Sequence, residues 1–165
     1  MTRRLNPQEF QVADKALANA VALCNHVLGL SDQALAGLVG KHFDSRGTPA
    51  HLDGYRRDYR QIVEALQRLD RKAAFEFDEH EAEDTIAYVW PNNPQRIYLC
   101  AAYFTLDAVE QAGTLVHEAS HWAVVRGTDD HAYGERQVRA LSYTLKRNTA
   151  DAYELLVEDL ARTGG

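Results

Sequence analysis

The chain has 165 residues, with 18 Lys and Arg against 24 Asp and Glu for a net charge of −6, and 45% of its residues are hydrophobic. That length supplies about one domain with an ordinary core, so 1–165 reads as a single unit, and the acidic balance excludes the basic face on which nucleic-acid binders depend. No run approaches the roughly 20 apolar residues that span a bilayer, and two cysteines are too few for a disulfide framework or a four-thiolate zinc site.

In chain order, Phe10, Val12, Ala16, Ala20, Leu23, Val27 and Leu30 recur mostly at steps of three and four. This spacing predicts a helix over 6–30, capped by Asn6 and opened by Pro7. Ser31 caps a shorter helix ending near 43, and Tyr55, Tyr59, Ile62, Val63, Leu66 and Leu69 form the buried stripe of a third over 50–73. At 74 the period falls to two in AFEFD, followed by TIAYVW and, beyond the turn PNNP, RIYLCAAYF. Three short strands are expected here, the last two as a hairpin. A helical period returns over 106–125, and two more helices are predicted at 134–146 and 149–162. A helical N-terminal half, a small antiparallel sheet and further helices make an α+β fold.

The helix over 106–125 carries His117, Glu118 and His121 as H-E-A-S-H. Four residues apart on a helix, the two imidazoles share a face, where both can meet one zinc ion at about 2.0 to 2.1 Å. Glu118 is rotated by about 100° and reaches a metal-bound water rather than the metal. Ala112, Leu115, Val116, Ala119, Trp122 and Ala123 surround the motif. The helix is therefore mostly buried, and its histidines would be costly to hide without a partner. This is an arrangement for metal-assisted hydrolysis, with Glu118 taking the proton of the attacking water.

A catalytic zinc usually takes three protein ligands and keeps one position open. The metzincin pattern would need Gly at 124 and His at 127, where this chain has Val124 and Gly127, so that class is excluded. Glu135, Glu154 and Glu158 are candidates from later helices. Asp129, Asp130 and His131 in the loop GTDDHAYG lie much closer along the chain, and short reach favours this loop.

AGTLVHEASH followed by GTDDHAYG resembles the aspzincin family, the deuterolysins and peptidyl-lysine metalloendopeptidases. That family pairs H-E-x-x-H with G-T-x-D-x-x-Y-G, and both halves match at every fixed position. The resemblance takes in RIYLCAAYF and ADAYE, covering about residues 96–155. It implies a zincin-like fold, Asp130 as the third ligand of one zinc ion, and Tyr133 as the residue that stabilises the oxyanion. It also implies a pocket for the residue after the scissile bond, often lysine, in which Asp151 and Glu154 would share one helix face. Secreted fungal members carry disulfides. Cys100 stands where a half-cystine is expected, but its partner is missing from 74–96, and Cys24 on an apolar helix face reads as a buried thiol.

The expected function is a monomeric zinc-dependent metalloendopeptidase acting on proteins or peptides, without nucleic-acid or membrane partners. The alternatives are a toxin or effector domain of the same fold acting on one protein or cell-wall peptide, or a catalytically weak zinc-binding module. The start MTRRLNPQEF has two arginines and no apolar run behind them. The expectation is therefore export without a visible signal peptide, or otherwise a cytoplasmic location.

Overall fold

The computed structural model describes residues 1–80 and 82–164. Strand β1 spans Thr2–Arg4, and helix α1 runs Pro7–Gly29 behind the cap Asn6, whose side chain accepts from the Glu9 N–H while Glu9 accepts from the Asn6 N–H. This reciprocal pair satisfies two N–H groups that the helix itself leaves unpaired. Helix α2, Asp32–Phe43, is capped by Ser31 and stops at Asp44, which takes the left-handed conformation at φ 53°. Helix α3 spans Pro49–Gln67 behind Thr48. It ends short of the expected 73 because the Asp70 carboxylate accepts from the Lys72 N–H and the Asp70 carbonyl from Ala73 and Ala74, so a turn replaces the last helical turn.

The sheet contains β1, β2 at Phe75–Asp78, β3 at Ala87–Tyr88 and β4 at Ile97–Leu99, in the order β1-β2-β4-β3. The expected hairpin of β3 and β4 is present, with Ala87 opposite Leu99 and Tyr88 opposite Tyr98. The all-antiparallel expectation needs correction: β2 and β4 pair in parallel, Phe75 with Ile97 and Phe77 with Leu99, so the sheet is mixed. β1, unforeseen in the sequence, pairs antiparallel with β2. Its three polar residues carry no alternating pattern, and it is held by Arg3, which reaches Glu9 and Glu79 and lies over the Phe77 ring.

After β4 the chain turns through a 3-10 segment, Ala101–Thr105, into α4, Ala108–His121, capped by Asp107. Every residue of α4 from Ala112 to Ser120 is buried. The helix touches α1, α3, α7 and β3, so it is the central element of the core. It ends at 121 rather than 125 because the Ala123 N–H leaves the helix for the Pro91 carbonyl, 2.9 Å away. The single helix expected over 134–146 is two, α5 at Gly134–Arg139 and α6 at Tyr143–Arg147, the second capped by Ser142. Helix α7, Ala150–Thr163, closes the fold against α4. Among the described residues, no helix is long and apolar enough to cross a membrane.

Candidate metal centre

Helix α4 holds His117 and His121 one turn apart on one face, with ring centroids separated by 4.9 Å. Beyond its end, Gly127 at φ +61° reverses the chain, and the Thr128 N–H bonds the Ser120 carbonyl at 3.1 Å. A glycine suits that turn because side chains disfavour positive φ. Asp129 then forms a parallel bridge with Thr149, bonding Asn148 and Ala150 through its backbone. Fixed at both ends, the loop carries Asp130 over α4. Its Oδ1 lies 3.1 Å from His117 Nε2 and 3.2 Å from His121 Nε2.

The other ring nitrogens are also engaged. His121 Nδ1 lies 2.8 Å from the Thr128 carbonyl oxygen, and Thr128 is tied in turn to Ser120, Oγ to Oγ1, at 2.6 Å. His117 Nδ1 faces two carboxylates of α7, Asp151 at 2.8 Å and Glu154 at 2.9 Å. Asp151 also accepts the backbone N–H of Gly134, which joins α7 to the start of α5. With both Nδ1 atoms committed, both Nε2 atoms are directed at Asp130, and their three ligand atoms lie within 4.8 Å of one another. Two imidazole nitrogens and one carboxylate oxygen fit a zinc ion with an open fourth position.

The electrostatics agree with that fit. Burial disfavours a charged imidazole at His117, yet its bonds to Asp130, Asp151 and Glu154 hold its pKa well above the ordinary value. Burial raises the Asp130 carboxyl, but the two histidines outweigh this and hold it well below the usual carboxylate range. The site is arranged to carry positive charge among acids. Glu118 is only 5% exposed, and burial pushes its pKa up against the pull of both histidines. Tyr133 is 58% exposed, its ring parallel to that of His117 at 6.4 Å. Burial and the neighbouring Asp130 push its phenol up to about 12, so it keeps its proton at neutral pH.

His117, Glu118, His121, Asp130 and Tyr133 open into one cleft of about 780 Å³, whose other wall includes residues 84–89 around β3, an edge strand of the sheet. The structure thus gathers His117, Glu118, His121, Asp130, Tyr133, Asp151 and Glu154 in one place. Other candidates do not join this cluster, although Asp129 also lines the cleft. Glu135 is exposed and paired with Arg139. The Asp129 carboxylate and His131 both turn to Asn148. Glu158 lies behind Glu154, against α4. Cys24 and Cys100 are both buried thiols. Ser120 and Thr128, which brace His121, were not singled out from the sequence; the G-T pair ahead of the aspartate was their available signal.

A profile of the aspzincin family, described as lysine-specific metallo-endopeptidase, matches residues 51–158. The chain belongs to this family. Among curated relatives, an extracellular protease of Aeromonas hydrophila is 42% identical over 79 residues, 44% of this chain and 23% of the relative. A peptidyl-Lys metalloendopeptidase of Armillaria mellea is 37% identical over 82 residues, 46% of this chain and again 23% of the relative. The matched segments thus span less than a quarter of either relative's length. A solved zinc peptidase from Grifola frondosa superposes with a TM-score of 0.81 at 24% identity, covering 95% of this chain and 98% of that one. That likeness establishes the aspzincin fold.

Proposed function

We propose that 1–165 is one metallopeptidase unit that hydrolyses peptide bonds in proteins or peptides, acting as a monomer with one zinc ion held by His117, His121 and Asp130. The observation that carries this reading is the convergence of the two Nε2 atoms and Asp130 Oδ1 beside buried Glu118, in a cleft bounded by an edge strand. A zinc ion bound there would lower the pKa of a coordinated water to about 7 and polarise the substrate carbonyl.

The chain's own residues supply the rest. Glu118 accepts the proton of the attacking water and returns it to the leaving amine, and its burial makes it a better base than an exposed carboxylate. Tyr133, protonated and exposed on the cleft, donates a hydrogen bond to the carbonyl oxygen as negative charge develops on it. The exposed edge of β3 offers backbone N–H and C=O groups on which an extended substrate can lie as an added strand.

The preference is proposed to be for lysine after the scissile bond, recognised by Asp151 and Glu154. Both line the cleft, and relatives carry the name peptidyl-Lys metalloendopeptidase. Asp151 is the more buried of the two and accepts the Gly134 N–H, so Glu154 makes the principal contact with the ammonium and Asp151 adds charge. Export from the cell is part of the same proposal, prompted by the extracellular protease among the relatives.

The deciding experiment measures zinc content together with cleavage of an unfolded protein, the cut sites read by mass spectrometry. About one zinc per chain with cuts before lysine is expected. Zinc without cleavage would overturn the peptidase reading, and cuts before apolar residues would overturn the lysine preference.

A further inference from the structure

Glu158 stands one turn beyond Glu154 on α7, and its side chain lies across α4 at Gly113. A Cβ placed on Gly113 would lie 2.5 Å from Glu158 Oε1, 2.8 Å from its Cγ and 3.1 Å from its Cδ. The glycine therefore makes the seat in which this side chain lies. From the seat, the Glu158 carboxyl hydrogen-bonds the Glu154 carboxyl, whose Oε2 faces His117 Nδ1 at 2.9 Å. Two carboxyls can bond in this way only if one of them keeps a proton and donates it.

Burial, with Glu154 adding to it, pushes the Glu158 carboxyl well above the ordinary carboxylate range. The other charged groups facing it are Arg162 on its own helix and Glu110 on α4. The peptidase chemistry described above has no use for Glu158.

We propose that Glu158 is a positioning residue: seated on Gly113, it holds the Glu154 carboxylate between His117 and the cleft and so sets how well the cleft accepts a cationic side chain. The choice of cationic substrate rests on the lysine reading above, whereas the contact between the two carboxyls does not. Glu158→Gln keeps an N–H donor in the same shape. Glu158→Leu keeps the bulk and removes the donor.

The test uses the zinc-loaded enzyme and peptides that differ only in having lysine or leucine after the scissile bond. For Glu158→Leu, about a 10-fold loss of kcat/KM on the lysine peptide is expected, mostly in KM, with the leucine peptide and zinc content little changed. Glu158→Gln is expected to restore lysine selectivity. In a Glu154→Gln background, Glu158→Leu should add almost nothing, because the residue acts through Glu154.

The proposal is overturned if Glu158→Leu matches the wild type, if Glu158→Gln is as impaired as Glu158→Leu, or if the two losses multiply. A wild type indifferent between the peptides would sink the lysine reading alone. The coupling of the two substitutions on either peptide would then decide the positioning role.

Discussion

His121 donates its Nδ1–H to the carbonyl oxygen of Thr128 at 2.8 Å, which places its Nε2 beside Asp130 Oδ1 at 3.2 Å. The donor sits on the last turn of α4 and the acceptor on the loop that delivers the carboxylate, so one bond sets both the tautomer and the approach of the loop. Thr128→Val leaves that carbonyl in place but removes the hydroxyl bonded to Ser120. About a 10-fold weaker zinc affinity with an intact fold is expected. Competition with a chromophoric chelator would measure it, and an affinity equal to the wild type would reduce the Ser120 and Thr128 pair to packing.

In the proposed mechanism Glu118 accepts the water's proton, and Glu118→Gln would remove that acceptor while keeping the size of the side chain. Turnover should fall at least about 100-fold with zinc still bound. Single-turnover cleavage beside metal analysis checks this. Retained turnover would take the role of base away from Glu118.

Asp130→Ala should release the metal, since two imidazoles alone hold it poorly, and circular dichroism should show the fold largely kept. Glu135→Ala serves as the contrast, because Glu135 is on the surface and engaged with Arg139. Full zinc in the first variant with loss in the second would reverse the ligand assignment.

Tyr133→Phe should leave zinc content and KM near those of the wild type and lower kcat by about 10- to 100-fold, as expected for a donor used as charge develops. Steady-state kinetics on a lysine peptide tests this. An unchanged kcat would return the ring to a packing role beside His117.

The pH dependence of stability should carry a contribution far from the cleft. Burial lowers the pKa of His42 from 6.5, and the bond to Asp159 at 2.8 Å offsets this only in part. With the folded pKa depressed, the unfolded chain takes up the proton first as the pH falls. This contribution is therefore complete above about pH 6.5 and is lost as the pH drops through the folded value. Urea midpoints at about pH 7.5 and pH 5 should separate more for the wild type than for His42→Gln. Equal separations would remove His42 from the acid limb.

The sequence by itself determined the parts that depend on neighbours along the chain. Asn6 with Pro7, and Ser31, announce helix starts, and the four-residue step from His117 to His121 fixes a shared face whatever surrounds the helix. The match of GTDDHAYG to the family motif named Asp130 before any distance was available.

Tertiary structure alone decided the rest, because those contacts join segments that local preference does not relate. The parallel pairing of β2 with β4 depends on register between strands about 20 residues apart, and β1 is too short and polar to announce itself. Asp151 and Glu154 could be seen to share a helix face. That this face meets the back of His117 follows only from the packing of α7 on α4. Burial beside His117 then makes that meeting matter, since low exposure strengthens each charge in the site and leaves little water to stand in for a missing partner.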